Sequence, residues 1–258
     1  MARLRIALSI LGLRGRPKSV LDWIAEMGFH EVELPVEGEP FGLAELDQSG
    51  LRDLRHQLAT RLLVPISIYA PISGAWNRSS EAEAALERVD ELLLRYALPL
   101  RLPLVLEVQP LSEGEDASEE VLQEALARLR QTVEHVELSV FLTGPLLTLE
   151  RVRRFVAETD SPFLGIALDP KSLLEVEADW RFWLSEWAGQ IGHAYASDGK
   201  SVGGSLEPCR LGEGELPWQD LVEQLQEQEY AGAVVIRADR LPDPYGDALH
   251  AKAFLERF

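Results

Sequence analysis

Nine polar residues have types that suit the binding of a polyol or the movement of a proton. Eight of them lie at or just beyond the ends of apolar segments, and Arg210 lies beside a loop that contains G-E-G-E. Carboxylates and phenols serve as general acids and bases, and the candidate catalytic residues are Glu33, Glu107, Asp169 and Tyr195. The candidate ligand-binding residues are Tyr69, Gln109, Asp198, Arg210 and Arg237. Because a guanidinium binds carboxylate or phosphate through two parallel hydrogen bonds, the two arginines would suit an anionic group on the ligand.

Eight short apolar segments, each followed by a segment with helical periodicity, must position these residues. They recur about every 30 residues, with no linker or low-complexity tract between them. Segments such as Leu104-Val105-Leu106 are continuously apolar, which is typical of parallel strands covered on both faces. The pattern predicts an α/β fold, a single (β/α)8 TIM barrel over residues 1–258, with its site at the carboxyl ends of the strands. A doubly wound open sheet is the alternative, but no G-x-G-x-x-G follows the first strand to support dinucleotide binding.

The composition limits the partners of the chain. A net charge of −18 argues against binding to nucleic acid or to an anionic membrane surface, since the phosphates would be repelled. No apolar run approaches the roughly 18 residues of a membrane span. The only cysteine, Cys209, permits no internal disulfide, so we expect a cytoplasmic protein. The expected partner is a small sugar-like or anionic ligand, and assembly into a homo-oligomer stays open.

Several segments resemble the xylose isomerase-like barrels, a superfamily of sugar isomerases and epimerases with endonuclease IV as a relative. These segments are Glu31-Val32-Glu33-Leu34, Gly165-Ile166-Ala167-Leu168-Asp169, Leu211-Gly212-Glu213-Gly214-Glu215-Leu216-Pro217-Trp218 and Tyr230-Ala231-Gly232-Ala233-Val234-Val235-Ile236. The resemblance covers essentially the whole chain, and its most specific part is the loop that contains G-E-G-E. It implies a TIM barrel that acts on a small sugar or sugar acid.

The resemblance also implies a divalent metal at the strand ends. In the family its ligands are a Glu on strand five, an Asp with a His three residues later on strand six, a His on strand seven and a Glu on strand eight. The corresponding residues here are Phe141 or Leu142, Asp169 with Ser172, Tyr195, and Arg237. Asp169 alone keeps a ligand type, and the fixed charge of Arg237 would repel a cation. We therefore expect a degenerate metal site and no metal cofactor.

Arg237 has two interpretations, which lead to two functions. Its guanidinium either pairs with Asp169, and with Glu33 or Glu107, as a structural ion pair, or it binds an anionic group of a ligand. One function is an isomerase- or epimerase-like enzyme that moves a proton at the carbon next to a carbonyl without a metal. The other is a non-catalytic protein, derived from that family, that binds a ligand or acts in an assembly.

Two further residues near the strand ends are given roles outside the chemistry. His193 lies two residues before Tyr195, and such positions share one face of a strand, so we expect a satisfied core histidine. Lys171 follows Asp169, whose charge would raise rather than lower the pKa of a neighbouring lysine, so we expect a solvated loop lysine rather than a Schiff base.

Overall fold

The computed structural model describes residues 4–112, 117–144, 150–159, 161–174 and 180–258. Its strands are β1 (Ile6–Ser9), β2 (Glu31–Pro35), β3 (Val64–Ile72), β4 (Leu104–Val108), β5 (Val140–Thr143), β6 (Leu164–Leu168), β7 (Ile191–Ala196), β8 (Asp198–Val202), β9 (Ser205–Cys209) and β10 (Val234–Ile236). Eight of them close into a parallel barrel in the order β1-β10-β7-β6-β5-β4-β3-β2. The predicted TIM barrel is confirmed.

Helices flank the barrel strands. They are α1 (Pro17–Glu26), α2 (Gln48–Ala59), α3 (Ser79–Leu92), α4 (Leu98–Leu100), α5 (Glu119–Val136), α6 (Glu150–Thr159), α7 (Pro170–Leu174), α8 (Trp180–Glu186), α9 (Trp218–Glu227) and α10 (Pro244–Leu255). A 3-10 helix spans Leu43–Glu45, and a π-helix, Leu93–Ala97, follows α3. None of the helices in the described part of the chain has both the length and the apolar character needed to cross a bilayer.

Local signals in the sequence account for where several helices begin. Pro17 occupies the first position of α1, where its missing N–H has no intrahelical partner to lose. The hydroxyl of Ser118 accepts a hydrogen bond from the Val121 N–H at 3.4 Å and so caps α5. The carboxylate of Asp243 caps α10 in the same way, through the N–H of Gly246.

The chain forms two compact units, one of residues 1–67, 168–189 and 193–258 and the other of residues 68–167 and 190–192. The first contains β1, β2, β10 and residues 193–196 of β7, and the second contains β4 and β5. In the second unit the Phe141 ring packs over Gly192, where a Cβ atom would lie 2.0 Å from the ring atom Cε1. Phe141 therefore fills a space that the absence of a side chain at Gly192 creates.

The segment after β7 is polar in sequence, yet part of it is regular structure. It forms an antiparallel hairpin in which β8 pairs with β9 from Asp198↔Cys209 to Val202↔Ser205. The hairpin turns at Gly203 and Gly204, whose φ angles are +60° and +89°. Two consecutive residues with positive φ suit a tight hairpin turn, and glycine adopts that conformation without steric cost. The polar side chains of this segment did not indicate strands, but Gly203 and Gly204 allow the turn that lets β8 pair with β9.

Candidate functional site

A buried polar cluster lies inside the first unit and is centred on Glu33. This glutamate has no exposed surface. Its Oε2 atom accepts hydrogen bonds from the hydroxyls of Ser67 at 3.1 Å and Tyr195 at 3.0 Å. The Nε2 atom of His193 lies 3.2 Å from the same oxygen. His193 and Tyr195 are two residues apart on β7, so their common face brings both side chains to one carboxylate.

The charge of Glu33 is stabilised despite its burial. Burial raises the pKa of this carboxyl group. His193 lowers the pKa through a hydrogen bond and its charge, and Arg237 lowers it through its charge. Together they outweigh burial, so the pKa lies below the ordinary value. A carboxylate removed from water is costly unless donors and cations surround it. Glu33 is therefore held as an anion without exposed surface.

Arg237 follows β10 and forms a two-point ion pair with Asp239. Its Nε atom lies 2.7 Å from Oδ1 and donates to it, and an Nη atom donates to Oδ2 at 2.9 Å. The two side chains are 8% and 14% exposed. The Arg237 guanidinium also lies over the ring of Tyr195, 5.3 Å from its centroid. Burial raises the pKa of Asp239, but the ion pair with Arg237 outweighs burial and lowers it overall.

A cleft that is partly open to solvent lies next to this cluster. Side chains from the carboxyl ends of β6, β7 and β10 line it, among them Asp169, Lys171, Ser197, Arg237 and Arg240. The hydroxyl of Ser197 donates a short hydrogen bond to Asp169. The guanidinium of Arg240 lies 3.7 Å from the other oxygen of that carboxylate. The cleft thus offers hydrogen-bonding groups of both signs.

The prediction that Lys171 is a solvated loop lysine is wrong. It is 9% exposed and belongs to α7. Its backbone N–H donates to Asp169 Oδ1 at 3.3 Å and to the Ser197 hydroxyl at 3.2 Å. A Cβ atom at Gly199 would lie 3.2 Å from Lys171 Cγ, which shows how closely the aliphatic stem packs against the hairpin. The stem is thereby buried at the wall of the cleft.

Asp198 has a position that the sequence did not predict. It is 2% exposed, and both its oxygens accept backbone hydrogen bonds. Oδ1 accepts from Gly199 at 2.8 Å and Leu216 at 3.3 Å, and Oδ2 accepts from Gly212 at 2.9 Å and Gly214 at 3.3 Å. This carboxylate holds the G-E-G-E loop against the start of the hairpin. Four backbone N–H groups thus hold Asp198 in place, and its role in ligand binding stays a prediction.

Arg210 also has a protein partner. Its Nε atom donates to Oδ1 of Asp247 on α10 at 2.6 Å. The arginine side chain is 47% exposed, whereas the aspartate side chain is 3% exposed. This ion pair ties the segment after β9 to α10. Arg210 was predicted to provide a second contact for an anion; the pair with Asp247 is a structural contact, and the anion contact stays a prediction.

In the second unit, Tyr69 and Glu107 form a pair of their own. The phenol of Tyr69, on β3, donates a short hydrogen bond to the carboxylate of Glu107, on β4. Tyr69 is buried, Glu107 is half-buried, and Gln109 just beyond β4 is exposed. A phenol and a carboxylate in direct contact can pass a proton between them.

Cys209 lines the cleft but is not activated. Burial, followed by the negative charge of Asp198, raises the pKa of its thiol to about 11. The thiolate is the nucleophilic form of cysteine, and at neutral pH a group with this pKa remains protonated. The thiol therefore acts as a wall of the cleft.

The residues at the metal-binding positions expected from the sequence do not fit a divalent cation. Phe141 packs over Gly192, the Ser172 hydroxyl donates to the Asp169 backbone carbonyl, and Arg237 brings a positive charge. Among the described residues, no group of three or more His, Cys, Asp or Glu side chains is placed to hold a metal ion. Such sites need several carboxylate, imidazole or thiolate donors directed at one point.

Sequence reasoning missed some members of these clusters. Ser67 lies two residues before Tyr69 on β3, and its pairing with Glu33 depends on how β2 and β3 are placed side by side. Asp239 was visible as a polar residue after the last strand, yet its pairing with Arg237 was not expected. Arg240 carries no signal in the sequence that separates it from other surface arginines.

Comparisons with known proteins agree with this barrel. The sequence model of the xylose isomerase-like TIM barrel family matches residues 21–257. A search of curated proteins found no match. Among solved structures, a xylose isomerase-like TIM barrel protein from Mycobacterium smegmatis in complex with magnesium is 17% identical, with a TM-score of 0.75 and coverage of 100% of this chain and 98% of that chain.

Two other solved structures share the fold. The IOLI protein with a bound zinc atom is 16% identical, with a TM-score of 0.78 and coverage of 98% of this chain and 96% of that chain. A 3-keto-D-glucoside 4-epimerase from E. coli is 17% identical, with a TM-score of 0.69 and coverage of 99% and 100%. Identities this low show the fold, while the family match extends over nearly the whole sequence. The chain belongs to the xylose isomerase-like TIM barrel family.

Proposed function

We propose that this chain binds a small sugar or sugar acid in the cleft at the carboxyl ends of β6, β7 and β10, and that it does so without a divalent metal. The observation that carries the proposal is the position of Arg237. Its guanidinium, 8% exposed and paired with Asp239, lines this cleft with a fixed positive charge at a position where the family resemblance implies a metal ligand, and that charge would repel a divalent cation. The resemblance in fold to a sugar epimerase supports a sugar-like ligand.

The cleft suggests how such a ligand would be held. The Asp169 carboxylate accepts hydrogen bonds from ligand hydroxyls, and its contact with Ser197 fixes its orientation. Lys171 and Arg240 stand in the same wall and supply donors for the carboxylate of a sugar acid. Sites of this kind combine apolar walls with a few directed polar groups, and Ala196, Ile236 and Leu241 provide apolar surface here.

Binding and metal content test the proposal together. We expect gluconate or galacturonate to raise the melting temperature of the purified chain, and elemental analysis to find less than stoichiometric Mg, Mn, Co, Ni or Zn. Dialysis against EDTA should leave both the melting temperature and the binding unchanged. Asp169→Asn should weaken binding about tenfold or more, since it alters a charged hydrogen-bonding group. The matched control is Glu213→Gln, which changes an exposed carboxylate of the G-E-G-E loop.

The outcomes separate the two parts of the proposal. Stoichiometric metal that is lost in the Asp169→Asn variant would overturn metal independence. Affinity for every sugar acid that is equal in the wild type and in Asp169→Asn would overturn the binding site.

A second candidate is proton transfer, which the contact between Tyr69 and Glu107 favours. In this reading the pair removes and returns a proton at the carbon next to the carbonyl of a sugar, as an isomerase- or epimerase-like enzyme would. Incubation of a ketose in D2O with the protein should then place deuterium at that carbon, as measured by NMR. Exchange that persists in the Tyr69→Phe and Glu107→Gln variants would rule out this role for the pair.

A further inference from the structure

The surroundings of Arg237 contain more charge than an ordinary barrel interior. Two carboxylates act on its guanidinium. Asp239 makes the two-point contact at 2.7 and 2.9 Å, and Glu33, which is fully buried, is stabilised by its charge. The Tyr195 ring lies under the guanidinium and donates its hydroxyl to Glu33. Arg237 therefore contacts, directly or through Tyr195, every acidic member of this cluster.

The buried carboxylate of Glu33 needs a nearby positive charge that does not depend on pH. Ser67 and Tyr195 offer Glu33 only neutral hydroxyl groups, and His193 carries a charge only when it is protonated. A buried carboxylate without a cation loses much more free energy in desolvation than neutral donors return. Arginine keeps its proton under all ordinary conditions, so its charge is constant.

We infer that the Arg237 guanidinium is a built-in counter-cation for the buried carboxylates of Glu33 and Asp239, in place of a bound metal ion. The inference rests on the metal-independent part of the proposed function and names the residue responsible for it. At position 237 the charge of the side chain matters more than its volume. Arg237 is thus a positioning residue, which keeps Glu33, Asp239 and Tyr195 in their observed places.

Replacement of the lost group by a small molecule tests this requirement. Arg237→Ala removes the cation and leaves space beside the Asp239 carboxylate and the Tyr195 ring. We expect its melting temperature to fall on the order of 10 °C. Guanidinium chloride at low millimolar concentration should restore part of that loss. Urea at the same concentration should restore none, because it has nearly the same shape and size but no charge. At these concentrations neither compound denatures proteins appreciably.

Arg61→Ala is the matched control. The Arg61 side chain is 10% exposed and pairs with Asp22 at 2.7 Å, so it resembles Arg237 in burial and in having an aspartate partner. The Asp22 side chain, however, is 48% exposed, and water can solvate its charge. Guanidinium should therefore give no recovery in Arg61→Ala. Recovery of both variants to the same extent, or recovery of Arg237→Ala by urea, would overturn the inference.

A second pair of variants decides the matter if Arg237→Ala does not fold. Arg237→Lys keeps the charge, whereas Arg237→Met keeps an unbranched side chain of similar volume without it. The inference expects the lysine variant to melt at the higher temperature, and a methionine variant at least as stable would refute it. These outcomes are independent of the metal content of the wild type, so failure of the inference and failure of the proposed function are distinguishable.

Discussion

At the scale of single residues, the main feature is a carboxylate that stays ionised in a dry environment. Glu33 has no exposed surface, yet its pKa lies below the ordinary value because His193 and Arg237 outweigh burial. The pKa of Asp239 is lowered by the same arginine. Two groups whose folded pKa values are depressed bind fewer protons in the folded chain than in the unfolded chain, so acid acts against folding.

The first prediction concerns the stability of the chain in acid. The contribution of Glu33 is fully present above its unfolded pKa, near 4.5, and is lost as the pH falls through the lower folded pKa. We expect the free energy of unfolding, from urea titrations between about pH 3 and pH 7, to fall at the acid end of this range. Glu33→Gln should be less stable at neutral pH and should lose less stability on acidification.

Glu213→Gln is the control for that measurement, since it removes an exposed carboxylate and should follow the wild-type curve. The same acid slope in Glu33→Gln and in the wild type would contradict the assignment. A flatter slope only in Glu33→Gln would locate the acid sensitivity in the buried cluster.

The same residues show what sequence reasoning can reach. Glu33, Tyr195 and Arg237 stand out because polar residues interrupt or end apolar strands. Their partners do not stand out, since contact between Glu33 and Ser67 depends on the lateral placement of two strands. For Arg237 the sequence offered Asp169, but the two-point partner is Asp239, which is two residues away in the chain.

At the scale of elements, the loop between β9 and α9 is organised by one carboxylate. Asp198, at the start of β8, accepts hydrogen bonds from four backbone N–H groups, two of which belong to Gly212 and Gly214. A Cβ atom at Gly214 would lie 2.0 Å from Asp198 Oδ1 and 2.5 Å from the Gly199 carbonyl oxygen. The close approach of loop and carboxylate therefore requires glycine at this position.

The second prediction follows from that contact. Gly214→Ala must displace the loop from Asp198, and a buried acceptor that loses its donors costs about 1–3 kcal/mol. We expect a loss of about 2 kcal/mol or more in the free energy of unfolding, measured by chemical denaturation. Glu213→Ala, one residue earlier, changes an exposed side chain and should cost less than about 0.5 kcal/mol. Equal losses in the two variants would show that the loop tolerates a side chain facing Asp198.

The elements were predictable to different degrees. The apolar segments located all eight barrel strands, because a strand covered on both faces is apolar throughout. The hairpin β8–β9 was missed because its exposed strands carry Lys200, Ser201 and Glu207, which lack the alternation of a half-buried strand. Helix α2 begins at Gln48, where the Asp47 side chain caps it by accepting a hydrogen bond from the Gly50 N–H.

At the scale of the whole molecule, an excess of negative charge acts on the stability of the barrel. The net charge is −18, from 43 acidic and 25 basic residues. Like charges at the surface repel one another most strongly at low ionic strength, where the Debye length is about 30 Å at 0.01 M, compared with about 8 Å at 0.15 M. Folding brings these charges together, so repulsion destabilises the compact state.

The third prediction is a rise of the melting temperature with salt. Between about 0.01 M and 0.15 M NaCl the longer-range repulsion is screened, and we expect an increase of a few degrees, measured by circular dichroism. Sodium chloride is chosen because sulfate would also stabilise the protein by exclusion from its surface. A melting temperature that falls with NaCl would mean that attractive ion pairs, such as Arg128 with Glu83, outweigh the net repulsion.

The loop around Asp198 separates what the fold requires from what a reaction would require. Its glycines are needed because backbone amides must reach a carboxylate, a requirement of folding that holds whether or not the strand ends carry out a reaction. These glycines can therefore be retained in proteins that have lost or changed the reaction catalysed at the strand ends. Similarity in such a loop therefore indicates a shared fold, whereas a shared activity depends on side chains at the strand ends, such as Tyr195 and Arg237.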